Sequence, residues 1–66
     1  MKWQQIERNW DQLKDDAKQA WPHLTEAELE VVHGQRDKLV DKVRDREHMS
    51  HEAAQMEVDS WQRSLR

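Results

Sequence analysis

Cysteine, tyrosine and phenylalanine are absent from this 66-residue chain, and glycine and proline occur once each. Without cysteine, neither a disulfide framework nor a thiolate metal site can staple the fold. Apolar residues are scarce as well, at 35% against the roughly 45–50% of ordinary globular chains. Ile, Leu and Val together fill only 11 of the 66 positions, below the ~20% level that warns of disorder. Any fold must therefore come from where these residues stand. No apolar run exceeds two residues, as at Val31-Val32, whereas a membrane helix needs about 20. With no signal-peptide pattern either, the expectation is a soluble, cytoplasmic protein forming one domain over residues 1–66.

Charge narrows the partners. Eleven Lys and Arg against 14 Asp and Glu give a net charge of −3 and a pI near 5.7. Generic binding to nucleic acid, which releases counterions through a basic patch, is disfavoured by that balance. Attraction to anionic lipid needs clustered Lys and Arg without interspersed acids, so a membrane surface is disfavoured too.

Periodicity supplies the fold class, which is all-α. Trp3, Ile6, Trp10, Leu13, Ala17 and Trp21 recur at steps of three and four, one continuous apolar stripe on a 3.6-residue period. Pro22 ends that helix, because proline disfavours the α region in the residue before it. Thr25-Glu26-Ala27-Glu28 matches a capping box and starts a second, short helix that closes at His33-Gly34. A strand over Glu26–Val31 is the rival reading; it lacks a pairing partner, and acids in the first turn suit a helix dipole. Gly34, the sole glycine, stands where a left-handed residue is wanted to end that helix. Leu39, Val40 and Val43 mark the buried side of a third helix. Asp37, Asp41 and Asp45 run beside Lys38, Lys42 and Arg46 on its exterior, the pattern of a solvated face. Ser50 caps a fourth helix, striped by Ala54, Val58, Trp61 and Leu65. Four short helices with brief connections imply a compact bundle or a pair of α-hairpins. The four tryptophans fall on the stripes and are expected in the core, Trp10 centrally, with Trp3 the one expected to be partly exposed and available to a partner.

Residues able to carry chemistry are few. Thr25, Ser50, Ser60 and Ser64 are the only hydroxyls, and two of them are already caps, so nucleophilic catalysis has no support. Glu47, His48, His51 and Glu52 form the one cluster resembling a metal site, but the break between helices falls inside it and no third ligand follows at a predictable spacing. His23 and His33 stand at helix edges, where imidazole suits the dipole. No catalytic residue, metal site or cofactor is therefore expected. The basic residues Arg36, Lys38, Lys42, Arg44 and Arg46 of the third helix keep a nucleic-acid or regulatory binding module open as the alternative reading, with Asp37, Asp41 and Asp45 cancelling most of their field.

Four blocks resemble the CsbD-like family of small bacterial stress-associated proteins, nearly end to end. They are Trp3-x-x-Ile6-x-x-Asn9-Trp10-x-x-Leu13-Lys14, Trp21-x-x-Leu24-Thr25-x-x-Glu28-Leu29, Gly34-x-Arg36-Asp37-x-Leu39-Val40-x-Lys42 and Glu52-Ala53-x-x-x-Glu57-Val58-x-x-Trp61. The resemblance implies four helices as two α-hairpins packed roughly orthogonally, in a sterile-alpha-motif-like arrangement, and a protein whose amount rises in general stress. It implies no enzymatic activity, no cofactor and no established partner. An unknown protein partner and a monomer or weak homo-oligomer fit that picture. The chain departs from the family at Arg8, Asp15, Pro22 and His48, where members often carry glycine. Inside the first helix Arg8 and Asp15 each gain roughly 0.5–1 kcal/mol of propensity over glycine.

Overall fold

The computed structural model describes residues 1–65 and is helical throughout, with no strand among the described residues. Five helices follow in chain order: α1 (Trp3–Arg8), α2 (Trp10–Ala20), α3 (Glu26–Val32), α4 (Arg36–Glu47) and α5 (His51–Ser64). The expected count was four. The difference lies at Asn9, where the first stripe bends: its φ of −103° and ψ of 22° fall outside the helical well, in the sparsely allowed bridge region. Asn9 stays anchored, its side-chain amide donating to the Gln5 carbonyl at 2.9 Å. Its own carbonyl accepts from both Gln12 and Leu13 N–H at 3.0 Å. Asparagine readily makes such local side-chain bonds, which compete with an unbroken helical ladder. The stripe survives the bend, since Ile6 on α1 and Trp10, Leu13 and Ala17 on α2 are all buried.

The remaining boundaries follow from local chemistry. Trp21, held at φ −131° by the proline after it, closes α2. Thr25 accepts from Glu28 N–H at 3.2 Å while Glu28 accepts from Thr25 N–H at 3.1 Å, the reciprocal capping box that opens α3. Ser50 accepts from Ala53 N–H at 3.1 Å and opens α5. At the end of α3 two successive residues are left-handed, His33 at φ 50° and Gly34 at φ 80°. Gly34 is needed for a second reason: a Cβ there would lie 2.7 Å from the Glu7 Cα, so the α3–α4 turn presses directly on α1. His48 ends α4 at φ 53°, with Met49 N–H reaching back to the Arg44 carbonyl at 3.3 Å.

Consecutive helices pack on one another, α4 with α5 most extensively. The start of the chain returns to its end, where the Met1 amino group donates to the Leu65 carbonyl at 3.2 Å and Gln62 donates to the Met1 carbonyl at 3.0 Å. One core results, built of Ile6, Trp10, Leu13, Ala17, Trp21, Leu24, Leu29, Val32, Leu39, Val40, Val43, Ala54, Val58 and Trp61, with no polar residue buried among them. Its radius of gyration, 10.5 Å, matches the ~11 Å that a close-packed chain of this length has. Placement has thus made up for the small apolar content.

Candidate functional site

The aromatic centre of the molecule is Trp61, on α5. Trp3 and Trp10 meet it edge-on, each at 6.3 Å between ring centroids, and Trp21 meets it tilted at 5.5 Å. Such edge-to-face pairs are favoured by the ring quadrupole. Sequence spacing pointed to Trp10 as the central ring; Trp10 is buried, but the other three rings converge on Trp61. Nothing in a helical stripe distinguishes one ring from another, because convergence depends on how helices cross. Trp10 contributes a different contact, its indole N–H donating to the Leu29 carbonyl on α3 at 2.8 Å. Trp3 is half-buried as expected, although its indole nitrogen is enclosed without a hydrogen-bond partner.

Above this core lies a lattice of ion pairs between elements. Lys14 on α2 pairs with Glu30 on α3, and Arg46 on α4 reaches Glu28 on α3 at 2.6 Å. Arg36 on α4 meets Asp59 on α5 at 2.8 Å, and His23 before α3 meets Glu47 on α4 at 3.2 Å. The Arg46 guanidinium, followed by the Thr25 N–H, holds the Glu28 carboxyl below its ordinary range. Hydrogen bonding between Lys14 and Glu30 raises the ammonium and lowers the carboxyl. Sequence reasoning did not find these pairs, whose members stand 16 to 24 positions apart.

That lattice decides what the basic residues of α4 can do. Arg36 and Arg46 are taken by other helices, while Arg44 lies within 3.7 Å of Asp41 and 3.3 Å of Asp45. Lys38 and Lys42 are left outside these pairs, too few to make a basic stripe. The histidine cluster separates in the same way. Glu47 turns to His23, His48 closes α4, and His51 bonds Gln55 across one turn at 3.2 Å. Among the described residues no three His, Asp or Glu side chains gather as a metal would require.

Three of the four hydroxyls are likewise committed to the backbone, and Ser60 is exposed. Thr25 and Ser50 cap helices, and Ser64 donates to the Trp61 carbonyl at 2.6 Å. One open cleft of about 470 Å³ lies among Gln4, Glu7, Arg8 and His33; a more enclosed one of about 180 Å³ separates α2 from α3 over Leu29. Neither sets a nucleophile beside a base. A third, of about 210 Å³, lies over Trp21 and Trp61 and is lined by Glu57, Ser60 and Ser64, where the Ser64 hydroxyl is turned to the Trp61 carbonyl. No helix among the described residues is long and apolar enough to cross a membrane.

No family model matches the chain, and no solved structure matches it. Bacterial relatives do. The chain is 41% identical over 58 residues to a UPF0337 protein of Pectobacterium atrosepticum, covering 88% of this chain and 84% of that one. It is 38% identical over 55 residues to the UPF0337 protein YjbJ of Escherichia coli O6:H1, covering 83% and 80%. To a UPF0337 protein of Nitrosomonas europaea it is 36% identical over 61 residues, 92% of this chain but 65% of that longer relative. The names of these relatives state no activity.

Proposed function

This chain belongs to the UPF0337 family, which is the CsbD-like family, and from that premise we propose that it is a stress-induced accessory protein. It acts in the cytoplasm by binding another macromolecule or by protecting proteins, without enzymatic activity of its own. The observation that carries this reading is the surface: ion pairs knit α2, α3, α4 and α5 together and leave a mixed, hydrated exterior over a core of tryptophans. Such an exterior suits a protein that must stay dispersed when abundant. The capping roles of Thr25 and Ser50 and the Ser64 bond to the Trp61 carbonyl fit a protein without chemistry of its own. With α1 and α2 taken as one bent helix, the proposed arrangement is the family's two α-hairpins crossing roughly orthogonally, as a monomer or weak homo-oligomer.

The alternative, a nucleic-acid or regulatory module using α4, has only Lys38 and Lys42 outside the arginine pairs and is the weaker reading. The deciding experiment is suppression of heat-induced aggregation of an unrelated enzyme. Suppression beyond that given by albumin at equal mass supports protection. Equality with albumin removes that form of the proposal and leaves specific binding, which capture of one defined partner from stressed cells would support.

A further inference from the structure

Helix α3 is held differently from its neighbours. The helix buries only Leu29 and Val32, and the turn before it adds Leu24, whereas α4 and α5 together bury six residues and pack most extensively on each other. Its other attachments are polar: Lys14–Glu30 toward α2, Arg46–Glu28 toward α4, and the Trp10 indole on the Leu29 carbonyl. The charged groups facing residues 22–34 are Asp11, Lys14, Asp15 and Lys18 of α2, Arg46 and Glu47 of α4, and Glu7 and Arg8 of α1 beside His33. The Glu30 side chain is 62% exposed and that of Arg46 52%, against 25% for Lys14 and 12% for Glu28, so dissolved salt reaches one side of each pair. Both ends of the helix are natural joints, with Trp21-Pro22 on one side and the left-handed pair His33-Gly34 on the other. The α4–α5 hairpin carries one such pair, Arg36–Asp59, but rests chiefly on Leu39, Val40, Val43, Ala54, Val58 and Trp61, which added salt does not loosen.

We infer that residues 22–34 form a strap that opens as a unit before the rest of the molecule, is released by rising ionic strength, and uncovers Trp10 when it opens. Local opening of a weakly anchored unit, at a lower free energy than global unfolding, is the general behaviour of folded proteins. The inference concerns the fold itself and stands whether or not the proposed function does.

Amide hydrogen exchange by NMR tests it on the intact chain at about 50 mM and about 0.5 M NaCl. Loss of two partly exposed pairs corresponds to roughly three- to thirtyfold faster exchange. That acceleration is expected at the Leu29 and His33 amides, which donate to the Thr25 and Leu29 carbonyls, relative to α5 amides as an internal reference. The Trp10 indole proton should accelerate with them. The double variant Glu28→Gln/Glu30→Gln should reproduce the high-salt pattern at low salt and lose the salt dependence, while glutamine at position 28 still completes the capping box. Equal acceleration in α3 and α5, α3 amides indifferent to salt, or a Trp10 indole proton that stays protected while α3 exchanges would each overturn the inference.

Discussion

At the scale of single residues, the left-handed positions respond in opposite directions to substitution. His48 sits at φ 53°, where an L-residue costs roughly 1–2 kcal/mol that glycine avoids. His48 is exposed, so His48→Gly is expected to stabilise the protein by about 1 kcal/mol, a rise of about 4–8 °C in Tm for a domain this small. Gly34, at φ 80°, also lies against the Glu7 Cα. Gly34→Ala adds backbone strain and a clash with main chain, and a loss of at least about 2 kcal/mol is expected. Paired thermal melts by circular dichroism check both; a His48→Gly variant that melts below the parent would show that the imidazole has a role beyond ending α4.

Among the elements, α3 carries the pH dependence. Glu28 and Glu30 have carboxyls held below their ordinary value of 4.5, chiefly by Arg46 and Lys14 respectively. A lowered folded pKa means that the folded state releases its proton more readily than the unfolded chain. The stability so gained is complete above the ordinary value and is lost as pH falls through the lowered one. Glu28→Gln should therefore melt below the parent at pH 6, and the gap should narrow as the pH falls below the ordinary value of 4.5; a gap that stays constant on acidification would assign the loss to packing instead. The elements themselves were legible where their signals are local. The Thr25/Glu28 box, Gly34, Pro22 and the Ser50 cap stand within a few residues of the backbone they control, and each ends or begins a helix as the spacing predicts. The bend at Asn9 was not legible, because the apolar stripe passes through it unbroken. The pairs Lys14–Glu30 and Arg46–Glu28 were not either, since only the packing of three helices brings them together. On α4 the cancelling acids Asp41 and Asp45 beside Arg44 were legible, whereas the engagement of Arg36 by Asp59 and of Arg46 by Glu28 was not, for the same reason.

The whole molecule depends on one aromatic junction. With so few aliphatic side chains, the contacts of Trp61 with Trp3, Trp10 and Trp21 join α1, α2 and the α2–α3 turn to α5. Truncation of a buried tryptophan costs about 3–5 kcal/mol, which is a large share of the whole stability of a domain this small. Trp61→Ala is therefore expected to abolish the cooperative melt at 25 °C, with red-shifted fluorescence from the remaining rings. Trp10→Ala should destabilise severely as well, since it opens a cavity and removes the indole bond that ties α2 to the Leu29 carbonyl, leaving that carbonyl only its helical donor, His33 N–H. Trp3→Ala, from a half-buried site with an unpartnered indole nitrogen, should cost least of the three. Urea titrations followed by circular dichroism order them, with the midpoint of Trp3→Ala nearest the parent. If Trp10→Ala were instead to melt within a degree or two of the parent, the junction would not hold α2 and α3 together. The core would then have to rest on the α4–α5 hairpin alone.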